Sequence, residues 1–177
     1  MDELLELKLY TERLVLRAPE DGDAPALARW CGDWELARWT ANIPHPYTRA
    51  DAEKFVDDAR RAIVDARTLT FAFERLEAPG LIGTVGLGLD GAGEEADMGW
   101  WVGGPFQGQG YASEAASCIV DFARTMGLQR LTAGTHPENL ASQSVARKLG
   151  MRPAGRLMRA QPARGQPAET LEFALTL

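Results

Sequence analysis

The chain has 177 residues, a formal net charge of −6 and 45% hydrophobic residues, which suits one globular domain with its own core and excludes a disordered tail or a coiled coil. No apolar run approaches the roughly 20 residues that span a bilayer, and the acidic start Met1-Asp-Glu-Leu-Leu-Glu is unlike a basic signal peptide, so a cytoplasmic protein without a membrane partner is expected. A net negative chain with no dense Lys/Arg block is not expected to bind nucleic acid, because that affinity comes largely from neutralising phosphates.

In chain order, Arg13 to Arg17 alternates as a strand does and Ala18-Pro19 ends it. Asp21 and Asp23 are placed to cap a helix whose apolar face holds Ala26, Leu27, Trp30 and Cys31. The Pro-rich break from Asn42 to Tyr47 is followed by Thr48 and Asp51, a capping-box pair opening a helix that buries Ala52, Phe55, Val56, Ala59 and Ile63. Three strands follow, Thr68 to Arg75, Leu81 to Leu89 and Ala96 to Val102. Ala78-Pro-Gly80 and Asp90-Gly-Ala-Gly93 separate them and favour antiparallel hairpins. After a glycine-rich turn a helix runs to Met126, with Gly127 as its stop. A strand from Leu128 to Thr135, a helix from Asn139 to Leu149, and strands near Arg152 to Arg159 and Glu169 to Leu177 complete the chain. With no repeat or linker, residues 1–177 read as one mixed α/β (α+β) domain.

Eleven of the eighteen glycines fall between Gly80 and Gly110. In Gln107-Gly-Gln-Gly-Tyr-Ala112 the loop enters a helix N-terminus, where backbone N–H groups lack intrahelical partners and the helix dipole adds partial positive charge. Such a turn suits a pyrophosphate. Two familiar phosphate motifs fail here. Gly108-x-Gly110 is followed by Ser113 where a dinucleotide fingerprint needs glycine, and Gln109 stands where a P-loop needs lysine. Cys31, Cys118, His45 and His136 lie far apart without metal-ligand spacing, so no metal is expected, and both cysteines read as small buried helix residues.

Gln107, Gly110 and Ala112 occupy the three fixed positions of Gln/Arg-x-x-Gly-x-Gly/Ala, preceded by the strand Asp97-Met-Gly-Trp-Trp-Val102. About thirty residues later comes Asn139-x-x-Ser142-x-x-Val145-x-x-Lys148-Leu-Gly-Met151. Together these resemble the GNAT N-acetyltransferases, with Met151 where Phe is usual. Thr11-Glu-Arg-Leu-Val-Leu-Arg17 and Tyr111-Ala-Ser-Glu-Ala115 resemble the RimJ/RimL branch, which acetylates ribosomal-protein N-termini. The resemblance implies a mostly antiparallel sheet of about seven strands flanked by about four helices, splayed between its fourth and fifth strands. It implies acetyl transfer from acetyl-CoA to a primary amine by direct attack on the thioester. The acceptor is expected to be a protein N-terminus, with a small amine such as an aminoglycoside or polyamine as the alternative. A non-catalytic acyl-CoA-binding module is a further alternative, and a homodimer is left open.

The resemblance assigns the backbone of Trp101, Val102 and Gly103 to the pantetheine arm, where an amide also polarises the thioester carbonyl. It assigns the amides of Gln107, Gly108, Gln109, Gly110, Tyr111 and Ala112 to the pyrophosphate, and Asn139 to the pantetheine. Asp97 and Glu95 differ by two residues and share a strand face. One of them, acting through a water, is the expected base; the alternative is that both are solvated hairpin charges. The tyrosine that protonates the leaving thiolate in many relatives is missing. Ser142 is the replacement donor or else a helix-start cap, and His136, on the loop before Asn139, is a candidate secondary base. Trp34, Trp39, Tyr47 and Trp100 are expected to line the acceptor cleft or to pack in the core.

Charge is uneven along the chain. Residues 1 to 67 carry −4, residues 68 to 111 carry −5 and residues 112 to 177 carry +3. The acidic stretch is the one expected to present the base, and the basic one follows the pyrophosphate loop, as an amine acceptor and an anionic cosubstrate would favour.

Overall fold

The sheet order is set by hairpins between neighbouring strands and by helical crossovers. The computed structural model describes residues 2–177, in the order α1 (Asp2–Glu6), β1 (Lys8–Tyr10), β2 (Leu14–Arg17), α2 (Ala24–Cys31), α3 (Trp34–Ala37), α4 (Arg49–Val64), β3 (Thr68–Arg75), β4 (Ala78–Leu89), β5 (Glu95–Val102), α5 (Tyr111–Thr125), β6 (Arg130–Thr135), α6 (Leu140–Lys148), β7 (Arg152–Arg159) and β8 (Ala168–Thr176). One eight-stranded sheet runs β1-β2-β3-β4-β5-β6-β8-β7. Every neighbouring pair is antiparallel except β5 with β6, where α5 forms the crossover. No helix among the described residues is long and apolar enough to cross a membrane.

The expected elements are present, with additions. β1 pairs Lys8 with Arg17, and both β1 and α1 are too short for periodicity to reveal. Ala78-Pro-Gly80 is not a connector. Ala78 pairs with Arg75, so the turn is Leu76-Glu77, and a register shift follows at Phe73, Glu74 and Arg75. Thr48 and Asp51 form the expected capping box, with the Thr48 N–H donating to Asp51 Oδ2 at 2.7 Å. Asp23 does not cap α2 through its side chain. Its carboxylate instead takes both Arg17 Nη atoms at 2.8 Å and the Glu20 N–H at 2.8 Å, a long-side-chain bond that local spacing does not reveal.

Two layers of helix cover the sheet. On one face Leu69, Phe71, Phe73, Val85, Leu87 and Met98 pack with Ala115, Ala116, Ile119 and Ala123 of α5. On the other, Leu27 and Cys31 of α2 and Ala52 and Val56 of α4 pack on Ala72 and Leu81. Burial among these apolar groups pushes the Cys31 thiol up to about 12, which makes it inert. The second face is only partly covered, because Thr68, Thr70, Thr84, Gly86, Gly88 and Gly99 offer little apolar surface to a helix, and this leaves the floor of a cavity.

Candidate active site

The parallel pairing of β5 and β6 holds for only three residue pairs, ending at Asp97 with Thr132. Beyond it the strands part, as expected, although β1 shifts the count so that the splay lies between the fifth and sixth strands. A cavity of about 730 Å³ occupies the gap and continues over the Thr/Gly floor. That volume is in the usual range of small-molecule sites.

At one end of the gap lies the glycine-rich turn. Gly108 has φ +72° and Gly110 φ +84°, and Gly110 is the N-cap of α5. The left-handed conformation is what turns successive amides the same way. Among the described residues, none of the six amides from Gly108 to Ser113 donates a hydrogen bond. The Gln107 N–H is the exception to the expected run, since it donates to Gly104 O at 3.2 Å. The Gln107 side chain donates to Val102 O at 2.9 Å and ties the loop to the strand end.

The strand backbone corrects the assignment of the pantetheine contacts. The Gly103 N–H donates to Ile82 O at 2.8 Å, so strand alternation turns Trp101 toward β4 as well and leaves Trp100 and Val102 facing the gap. Among the described residues, two buried side-chain atoms on the α5 face of the splay have no partner, Trp100 Nε1 from β5 and Thr135 Oγ1 from β6. Thr135 is only 4% exposed and lines the cavity. Buried polar groups are rarely left unpaired. An anionic group at the free amides and an arm bearing amides between these two atoms would satisfy all of them, so the residues present fit acetyl-CoA.

The loop is clamped from a distance. Glu114 of α5 accepts from Thr11 Oγ1 at 2.6 Å, from the Arg13 N–H at 2.9 Å and from Arg13 Nε at 2.7 Å. Arg13 Nη1 also donates to Gln109 O at 3.1 Å, and the guanidinium lies 4.4 Å from the Tyr111 ring centroid. The two sequence stretches that resemble the RimJ/RimL branch therefore meet at one carboxylate. Burial alone would raise the Glu114 pKa, but the Thr11 and Arg13 hydrogen bonds outweigh it and the carboxyl is held below its ordinary 4.5. A lowered folded pKa contributes stability that is present above pH about 4.5 and lost as pH falls through the folded value. Glu114→Gln is expected to cost about 1–3 kcal/mol at pH 7. Urea unfolding at pH 7 and pH 3 checks it, with the gap between variant and wild type closing at the lower pH.

The remaining expected site residues divide. Ser142 and Asn139 line the cavity, and Asn139 caps α6 by accepting the Ser142 N–H at 3.1 Å. His136 also lines it, with its ring 5.2 Å from Trp39. Asp97 reaches the cavity; Glu95 does not and is paired with Arg130 at 3.0 Å. Trp39 and Trp100 border the space, whereas Trp34 and Tyr47 do not. Trp34 is 46% exposed, against His45 and Arg164. Tyr47 packs on the α2–α4 core, where burial, with Cys31 and Asp51 nearby, pushes its pKa up. Aromatic clustering in the sequence pointed to that region, but of Trp34, Trp39 and Tyr47 only Trp39 borders the cavity. Thr70, Thr84, Thr135 and Arg159 carry no sequence pattern that marks them, and Phe55, expected on the buried face of α4, is half-buried and lines the cavity instead.

The comparisons agree with this architecture. Residues 13–152 match the family model of the acetyltransferase (GNAT) domain. The chain belongs to this family, and it is an acetyl-CoA-dependent N-acetyltransferase. It is 30% identical to the N-acetyltransferase p20 of Bacillus licheniformis over 170 residues, 94% of each chain. RimJ of Mycobacterium smegmatis, in complex with CoA-disulfide, superposes with a TM-score of 0.80 at 26% identity, covering 92% of this chain and 81% of RimJ. A Vibrio cholerae structure, described in name as a ribosomal-protein-serine acetyltransferase, shares the fold at a TM-score of 0.84 and 24% identity, covering 98% of this chain and 99% of its own.

Proposed function

We propose that residues 1–177 act as one catalytic domain that acetylates the α-amino group of a polypeptide N-terminus. The observation that carries this reading is the continuity of the cavity, from the free amides at Gly108–Ser113 through the splay to the Thr/Gly floor between Trp39 and Phe55. A chain terminus is narrow enough to lie over a floor of glycines and threonines and bring its nitrogen to the gap. The similarity to RimJ and to the Vibrio cholerae protein supports a protein acceptor over a small amine.

In this reading the amides from Gly108 to Ser113 hold the pyrophosphate, while Val102 and Trp100 present backbone groups to the pantetheine. Acetyl-CoA supplies an activated acyl group. Asn139 orients the arm with its side-chain amide, and the Ser142 hydroxyl donates a hydrogen bond to the sulfur as it leaves. The test is incubation of the enzyme and acetyl-CoA with N-terminal peptides, Nα-blocked lysine peptides, aminoglycosides and polyamines, read by thiol release. Release with N-terminal peptides at least tenfold above hydrolysis is expected. Release confined to the small amines would move the acceptor to that class.

A further inference from the structure

Asp97 sits on the acceptor face at the point where β5 and β6 part. From the edge strand β7, Arg159 reaches across β8 and β6 to it, with Nη1 2.8 Å from Oδ2 and Nη2 2.9 Å from Oδ1. Thr132 Oγ1 donates to Oδ1 at 2.9 Å. The other edge of the guanidinium is held by Glu172, with Nε 2.7 Å from Oε1, and the Glu172 side chain is only 8% exposed. The crossing depends on Gly134. A Cβ there would lie 2.7 Å from Arg159 Nε and 2.8 Å from its Cζ, so any side chain at this position displaces the arginine.

A fork-on-fork pair engages the lone pairs that lie between the two carboxylate oxygens, and Thr132 takes a third position. A proton moving from an ammonium to Asp97 therefore finds one open position, on Oδ2, and binding there neutralises the carboxylate and forfeits its ion pair with Arg159. Of the other titratable groups, Glu95 is paired with Arg130 and lies off the cavity, β8 brings Glu172, already committed to Arg159, and β4 brings only Gly88 opposite Asp97; Glu35 and His136 also line the cavity, and His136 Nδ1 already accepts the Glu138 N–H at 3.1 Å.

We infer that Arg159 is a specificity-positioning residue that holds Asp97 as an ion-pair partner instead of a proton acceptor, so that the acceptor amine must reach the thioester already neutral. This rests on the reading of the cavity as the acceptor site. The nitrogen lone pair forms the C–N bond as the C–S bond breaks, the surplus proton on nitrogen leaves to water, and the sulfur leaves as a thiolate that takes one proton from solvent. Selectivity then follows the acceptors' own titration. An α-amino group with pKa near 8 is neutral in about one molecule in eleven at pH 7, and a lysine near 10.4 in about one in 2,500, a ratio of about two hundredfold that falls about tenfold by pH 9.

The experiment compares a peptide bearing a free α-amine with an Nα-blocked peptide bearing one lysine, by kcat/KM from thiol release, with mass spectrometry locating the acetyl group. The wild-type preference is expected to be about two hundredfold at pH 7 and to fall about tenfold at pH 9. Gly134→Ala and Arg159→Gln are each expected to raise the lysine rate at pH 7 at least about fivefold, and Asp97→Asn added to Arg159→Gln to abolish that gain. A preference that does not change with pH overturns the inference. So does a loss of more than tenfold in kcat for Asp97→Asn alone. If the variants fail to fold by circular dichroism, the wild-type pH dependence decides by itself. Acetylation without preference overturns the role of Arg159 and leaves the acceptor reading standing, whereas bound CoA with neither peptide acetylated overturns both.

Discussion

Gly110→Val is expected to weaken CoA binding about a hundredfold while leaving the fold intact. Gly110 has φ +84° at the N-cap of α5, a conformation that costs a β-branched residue about 1–3 kcal/mol. The valine would leave it by rotating the peptide planes on either side. The added Cβ would also stand 3.4 Å from Arg13 Nη2, the side chain that holds Gln109 O. The amides from Gly108 to Ser113 converge only while both glycines stay left-handed, and each charge-assisted hydrogen bond lost to a phosphate is worth about 1.5–3 kcal/mol. Tenfold in affinity corresponds to about 1.4 kcal/mol, so loss of one or two such bonds reaches the expected size. Calorimetric titration with CoA measures it, and thermal unfolding serves as the control. An affinity within threefold of wild type would remove the loop from the pyrophosphate site.

Phe73→Ala is expected to destabilise the protein by about 3–5 kcal/mol, the usual cost of emptying a buried aromatic site. Phe73 is fully buried between β3 and α5. Its ring lies over Gly83 of β4, in the place a side chain there would need. That pairing of a large residue with a glycine on adjacent strands leaves little else to fill the hole. Against a typical total stability of about 5–15 kcal/mol, the loss threatens the folded state itself. Because Phe73 does not itself line the cavity, CoA binding should fall only as the unfolded fraction grows. Urea denaturation with and without CoA separates the two effects, and a loss under 1 kcal/mol would contradict the packing.

Much of the architecture was legible because it is written locally. The capping box at Thr48 and Asp51, the alternation from Thr68 to Arg75 and the stop at Gly127 each arise within a few residues. The glycine-rich turn was legible for the same reason, as its amides are oriented by the φ values of Gly108 and Gly110 in the turn itself. The cavity wall opposite the sheet was not. Trp34, Trp39 and Tyr47 cluster in sequence, but which of them turns inward depends on how α3 and the following loop seat on α2 and α4. Ala78-Pro-Gly80 reads as a turn from its composition, and only the pairing of Ala78 with Arg75 makes it the start of a strand.

The uneven charge sharpens the same distinction. The sequence by itself determined an acidic stretch at residues 68 to 111, a basic one after it and a glycine-rich turn between them, because composition and turn chemistry need no long-range contact. Only the tertiary structure decided what those charges do. Glu114 anchors Arg13 from 101 positions away, and Asp97 is held by Arg159 from 62 positions away. An ion pair at that separation exists only after β2 has been brought beside α5 and β7 has been added at the sheet edge beyond β8. The carboxylates that look free in the sequence are for that reason engaged in the fold.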